Sequence, residues 1–334
     1  MEHLAQIEVK VVGRPRCIFL IWVALFAATP LARTQPGPNP ILRQQRDDKS
    51  APSAARIQTE SALVLVPVTV VDRLNRFVNG LEKQDFRIFE DNQEQTILNV
   101  SKEDTPLSIG LLVDCSGSMG EKLQSSREAV DQFLKIANPE DEVSLIVFNE
   151  TAELLQSFTH DWSVIRHQLA SAKSTGRTAL LDALGIGFHE MKNARNPRKV
   201  ILVISDGGDN NSRHTRMEIR RAAREADVQI YAMGNYEPME TRWRTPEEQD
   251  GPDLVSEFAK DTGGREFEIH NATDLAEVPA RIAMELRNQY VLAYSPQNQA
   301  HDGKYRRIRV DVFQQHGLAS LRAFWRRGYF ARPD

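Results

Sequence analysis

The sequence has few cysteines and no spacing typical of a cysteine or histidine metal site. Only Cys17 and Cys115 are cysteines among 334 residues, so the chain cannot be a small module held together by several disulfides. No Cys-x-x-Cys occurs, and His160 and His167, the two histidines closest in sequence, lack the i, i+4 spacing of a helical zinc site. These absences argue against a His/Cys metal centre.

Excess positive charge and repeated long apolar runs are also absent. The 42 Lys and Arg residues against 46 Asp and Glu give a net charge of −4, without the positive footprint that nucleic-acid binding needs. No Gly-x-x-x-x-Gly-Lys-Ser/Thr pattern occurs, so a phosphate-binding loop for nucleotide has no support. The expected partners therefore include neither nucleic acid nor nucleotide, and a polytopic membrane protein is excluded.

One long apolar run is present, close to the amino terminus. The 12 apolar residues of 17–28 follow three basic residues and lead to Ala32. This order predicts a signal peptide over residues 1–32 and an exported protein, whether periplasmic, on the cell surface or secreted. An uncleaved anchor is the alternative, although a membrane span usually needs about 20 apolar residues. Removal of this segment would leave Cys115 without a partner cysteine.

The rest of the chain divides into four parts. Residues 33–60 are rich in Pro, Gln, Arg and Ser and predict a disordered linker. Residues 61–104 contain short alternating apolar runs between turn residues, as in 86–90 (Phe-Arg-Ile-Phe-Glu), and predict a small antiparallel β-strand module. Residues 289–334 return to this alternation and predict a C-terminal β-hairpin segment. The sequence leaves open whether the two β segments pair.

The fourth part, residues 105–288, alternates continuous apolar strands with amphipathic helices. The predicted strands include 107–113, 143–148, 199–204 and 228–233. This pattern indicates an α/β, doubly wound and mostly parallel sheet of Rossmann-like type, covered by helices on both faces. Ligands of such sheets bind beyond the carboxyl ends of the strands.

Oxygen-bearing side chains follow two of these strands and begin one helix. Asp114, Ser116 and Ser118 come directly after strand 107–113, and Asp206 follows strand 199–204. Thr178 lies at the start of a predicted helix. We therefore expect all five to lie at the binding edge of the sheet.

These five residues resemble the metal-ion-dependent adhesion site (MIDAS) of von Willebrand factor type A (VWFA) domains. The motif combines D-x-S-x-S, a later Thr and a later Asp, and every position is filled here. The resemblance covers the α/β part. The flanking D-F-R-I-F-E-D-N, Y-V-L-A-Y-S-P and R-R-G-Y are similar to exported bacterial VWFA-related proteins, abundant in acidobacteria. No activity is known for those VWFA-related proteins, so the wider resemblance implies none.

The resemblance implies a divalent cation at Asp114, Ser116, Ser118, Thr178 and Asp206. Mg²⁺ is the expected ion, with Mn²⁺ and Ca²⁺ as alternatives. Mg²⁺ takes six oxygen ligands and gives up water reluctantly, so such a site keeps positions open for an Asp or Glu carboxylate of a partner protein. The alternative is a metal-independent envelope scaffold or assembly subunit, in which the same side chains only cap helices and form turns.

Catalytic patterns are lacking around the same loop. Position 116 is Ser rather than the second Asp of a D-x-D phosphotransfer site, and neither Ser116 nor Ser118 lies in a Gly-x-Ser-x-Gly nucleophile elbow. The sequence therefore predicts a non-enzymatic binding protein without catalytic residues or an organic cofactor.

Overall fold

The computed structural model describes residues 63–102, 104–206, 208–234, 246–313 and 321–333, with only the backbone described at 246–252 and 272. The predicted signal peptide (1–32) and linker (33–60) lie outside these residues. Within the described part of the chain, no helix is long and apolar enough to cross a bilayer.

The described elements are 14 strands and six α-helices. The strands are β1 (Val64–Val71), β2 (Phe86–Glu90), β3 (Gln93–Gln95), β4 (Ile97–Ser101), β5 (Leu107–Asp114), β6 (Glu142–Phe148), β7 (Ala152–Thr159), β8 (Arg198–Ser205), β9 (Gln229–Gly234), β10 (Glu266–Glu268), β11 (Tyr290–Tyr294), β12 (Tyr305–Val312), β13 (Arg322–Trp325) and β14 (Gly328–Phe330). The helices are α1 (Lys122–Ile136), α2 (Trp162–Ser171), α3 (Leu180–Glu190), α4 (Arg216–Glu225), α5 (Pro246–Thr262) and α6 (Ala272–Arg287).

A six-stranded sheet forms the centre of the α/β part, in the order β10-β9-β8-β5-β6-β7. All pairings are parallel except β6 with β7, which confirms the predicted mostly parallel α/β fold. Every residue of β5 is buried, as expected for a central strand covered on both faces. Strand β7 was not predicted. It lies at the sheet edge and is half-exposed, so it lacks the continuous apolar run of its neighbours.

Helices cover both faces of this sheet. On one face, Phe133 of α1 and Ile282 of α6 pack with Leu111 of β5 in one apolar cluster. On the other face, Leu184 of α3 and Phe258 of α5 pack in a second cluster with strand residues of the opposite pleat. Because successive strand side chains point to opposite faces, one apolar strand supplies both clusters.

The β segments before and after the α/β part pair with each other. They form two four-stranded sheets, β13-β1-β11-β4 and β14-β12-β2-β3, with Val66 opposite Leu292 and Ile88 opposite Val310. The inward side chains of both sheets make one shared apolar cluster. The final segment, residues 289–334, is therefore not a simple hairpin, because β11 and β12 lie in different sheets. The apolar faces of these two strands pack into the shared cluster from opposite sides.

Candidate metal centre

Asp114 ends β5 as a fully buried carboxylate. The backbone N–H of Ser116 donates to Asp114 Oδ1 at 2.8 Å, and the Ser205 hydroxyl donates to Oδ2 at 2.6 Å. Burial, together with the negative charge of nearby Asp206, raises the pKa of Asp114 to about 7. The two hydrogen bonds favour the ionised form but do not offset the lost hydration. The ionised form of Asp114 is therefore higher in free energy in the folded chain than in water.

Two serine hydroxyls stand next to this carboxylate. Ser116 directly precedes a single turn of 3-10 helix (Gly117–Met119) that contains Ser118, and the Oγ atoms of the two serines are 3.1 Å apart. Met119, the last residue of this turn, has a fully buried side chain, which holds the turn against the protein interior. Ser116 is buried and Ser118 is exposed, so the pair leads from the carboxylate to the surface.

Thr178 is brought to the same edge by a second loop. Two backbone hydrogen bonds tie this loop to the residues after β5: the Gly117 N–H donates to the Gly176 carbonyl, and the Thr175 N–H donates to the Cys115 carbonyl, each at 2.9 Å. Gly176 has a φ of +75°, and a Cβ at this position would meet a nearby glutamate side chain at 2.5 Å. The loop therefore requires glycine there to approach the Ser116 turn.

Asp206 follows β8 and has a lysine partner that sequence reasoning missed. The Lys122 Nζ lies 3.4 Å from Asp206 Oδ2, and both side chains are 13% exposed. Lys122 is the first residue of α1, directly beyond the Ser116–Ser118 turn. The position of Lys122 in the sequence, four residues after Ser118, was the available signal, because a helix that begins at the binding edge places its first side chains there. Ser205 was missed as well, although it immediately precedes Asp206.

A polar loop after β8 holds Thr178 in place. The Asn210 Oδ1 accepts a hydrogen bond from the Thr178 N–H at 2.9 Å, and the N–H groups of Asn210 and Asn211 donate to the Thr178 carbonyl at 3.0 and 3.1 Å. Asp209 accepts from the Leu181 N–H at 3.1 Å in the first turn of α3. These residues position the threonine through its backbone.

The arrangement fits a hard divalent cation. Two carboxylates and three hydroxyls from three loops supply oxygen atoms only, the donor type that Mg²⁺ prefers. In the described residues, no three His, Cys, Asp or Glu side chains cluster as a metal site, and the candidate donors here are two carboxylates with three hydroxyls. Asp114 and Asp206 repel each other electrostatically, and a cation between them would remove that repulsion.

Comparison with known proteins places these loops in a family. The family profile of the von Willebrand factor type A domain matches residues 109–208, a range that includes all five residues. No curated protein matches the chain. Similar solved structures include BatB from Bacteroides thetaiotaomicron (19% identity, covering 55% of this chain and 100% of that one, TM-score 0.44) and a von Willebrand factor type A protein from Catenulispora acidiphila (12%, 80% and 75%, TM-score 0.47). The profile match identifies residues 109–208, within the α/β part of this chain, as a von Willebrand factor type A domain.

Proposed function

We propose that this is an exported, non-enzymatic binding protein that holds a divalent cation and uses it to bind an acidic side chain of a partner protein. Mg²⁺ is the proposed ion. The proposed ligands are Asp114, Ser116, Ser118, Thr178 and Asp206. The observation that carries the proposal is the buried Asp114, whose negative charge is raised in energy by burial and by a second carboxylate, beside a pair of serine hydroxyls.

The charge balance explains why such an ion would bind a carboxylate from outside. Asp114 and Asp206 together neutralise a divalent cation, whereas the three hydroxyls add no charge. The Lys122 ammonium offsets part of the negative charge of Asp206. An ion in this setting stays electrophilic, and its exchangeable positions favour an anionic oxygen such as that of Asp or Glu.

The type A domain supports a role in protein interaction or assembly. The basic and apolar segment at 1–32 supports export. The loops contain an Asp–His pair but not a serine bonded to it: His214 Nδ1 lies 2.7 Å from Asp182 Oδ1, whereas the neighbouring Ser212 hydroxyl donates to Asp209 at 2.5 Å. This pairing gives no activated serine of the kind that acyl-transfer enzymes use.

The test is retention of partners from an envelope extract of the native cells on the immobilised full chain. We expect retention in Mg²⁺, release by EDTA, and loss of retention with Asp206→Asn. Asp131→Asn is the matched control, because Asp131 is a half-exposed carboxylate on α1 paired with Arg166. Amidation of carboxylates in the extract should abolish retention, whereas acetylation of its amines should not. Retention that is indifferent to EDTA and to Asp206→Asn would contradict the proposal.

One observation favours a second candidate, a metal-independent scaffold or assembly subunit. The Lys122–Asp206 pair already gives one of the two carboxylates a cationic partner within the chain. If this pair replaces the ion, the same face would bind partners in EDTA as well as in Mg²⁺. The retention experiment therefore separates the two candidates.

A further inference from the structure

A cavity of about 380 Å³ lies at the end of the parallel sheet opposite the candidate metal centre. Its walls come from the beginnings of β8 and β9 and from the sheet β13-β1-β11-β4. Asp206 follows the last residue of β8, whereas Arg198, the first residue of that strand, lines the cavity. Seven residue steps of a strand span about 23 Å. The cavity is therefore a separate feature of the fold.

One wall of this cavity is an uncovered apolar sheet face. Val64 and Val66 of β1 point into the shared core, whereas Leu65 lies on the opposite face and lines the cavity. Leu65 is 47% exposed and Leu98 of β4 is 54% exposed, and Val291 of β11 lines the cavity beside them. Contiguous exposed apolar surface of this kind typically marks a binding site.

The lining of the cavity carries an excess of positive charge. Its charged residues are four cations and two carboxylates, Arg198, Lys199, Arg224 and Arg326 against Asp227 and Asp261. The two carboxylates pair with Arg326 and Arg224, respectively. Formal charge in the lining is thus +2.

Unlike Arg224 and Arg326, Arg198 has no carboxylate partner among the described residues. Arg198 directs its Nη2 to neutral acceptors, the Leu286 carbonyl and the Gln289 amide oxygen, each at 2.7 Å. Its positive charge in the lining therefore favours an anionic group of a ligand.

We propose that this cavity binds an amphipathic carboxylate, a small molecule with an unbranched alkyl chain and one anionic head. The alkyl chain would lie on Leu65, Leu98 and Val291, and the carboxylate would face the arginines. The volume is within the range of small-molecule sites, about 300–1,000 Å³. The net positive lining favours an anionic head over a neutral or cationic one, and the exposed leucines favour an aliphatic body over a polar metabolite.

The test is calorimetric titration of the full chain with decanoate, hexanoate, decanol and decyltrimethylammonium, each at concentrations at which it is dissolved as monomers. We expect saturable binding of one decanoate per chain. Hexanoate should bind at least 100-fold more weakly, because each buried methylene contributes about fourfold. Decanol and the cationic analogue should bind at least tenfold more weakly than decanoate, since they lack the anionic head.

Matched leucine variants locate the binding. Leu98→Gln changes an exposed leucine in the cavity wall, and Leu74→Gln changes a leucine that is 72% exposed outside it, so neither change empties the core. We expect Leu98→Gln to weaken decanoate binding about tenfold and Leu74→Gln to leave it unchanged. Absence of saturable decanoate binding, equal effects of the two variants, or equal affinity for the cationic analogue would overturn the proposal. If another segment of this chain occupied the cavity, decanoate would show no saturable binding, and the proposal would be overturned.

Discussion

Replacement of Asp114 by Asn should stabilise the metal-free protein while abolishing its response to Mg²⁺. The pKa of this carboxyl is about 7 in the folded chain, against an ordinary value of 3.8. A raised pKa means that the folded state binds more protons than the unfolded state between these values. The free energy of unfolding therefore falls as pH rises from about 4 to 7, and the whole penalty is present above pH 7.

The size of this penalty follows from the shift. About three pKa units at about 1.4 kcal/mol each give roughly 4 kcal/mol at pH 8, and the same relation gives roughly 2 kcal/mol at pH 5. Asn removes the charge but can accept only one of the two hydrogen bonds from Ser116 and Ser205, which costs about 1 kcal/mol. The expected net gain for Asp114→Asn is roughly 1–3 kcal/mol at pH 8.

Urea unfolding in EDTA at pH 5 and pH 8 measures this difference. The free energy of unfolding of Asp114→Asn relative to wild type should be about 2 kcal/mol more favourable at pH 8 than at pH 5. Asp131→Asn, which changes a half-exposed carboxylate, should show little difference between the two pH values. The same advantage at both pH values, or a variant less stable than wild type at pH 8, would refute the electrostatic reasoning about Asp114.

Three further predictions follow from the candidate site. Ser118→Ala removes an exposed hydroxyl and should weaken Mg²⁺ binding about tenfold in calorimetry. The free energy of unfolding in EDTA should change by no more than about 0.5 kcal/mol. Unchanged Mg²⁺ affinity would remove Ser118 from the ligand set. Lys122→Met, which takes the competing ammonium away from Asp206, should tighten Mg²⁺ binding about tenfold, and weaker binding would count against competition. Gly176→Ala and Gly80→Ala should each destabilise the chain by about 1 kcal/mol in urea, because both glycines have a positive φ (+75° and +81°) and the exposed glutamate side chain next to Gly176 can turn away from a Cβ; a loss above about 3 kcal/mol at Gly176 alone would contradict this reasoning.

The central strands and the ends of the parallel sheet could be predicted because their signals are local. A strand buried on both faces is apolar over most of its length, as β5 is, and a parallel sheet brings its strand ends to one edge. Strand β7 escaped prediction because an edge strand that is half-exposed has no such run.

Long-range features could not be predicted from local patterns. The pairing of Val66 with Leu292 depends on which apolar faces share a core, and the residues between them carry no signal for it. The Lys122–Asp206 pair and the hydrogen bonds from Asn210 to Thr178 arise only when separate loops meet in the folded chain. Candidate oxygen donors could therefore be named from sequence, whereas the residues that position or neutralise them could not.

Thermal unfolding of the full chain in EDTA and in Mg²⁺, for wild type and Asp206→Asn, tests the proposed ion most directly. A ligand at about 100 times its Kd stabilises a protein by about 2.7 kcal/mol, which corresponds to a rise in Tm of roughly 5–10 °C for a fold of this size. We predict this rise for the wild type and its loss in Asp206→Asn. An unchanged Tm in both, or an equal rise in both, would contradict a divalent cation held by Asp206.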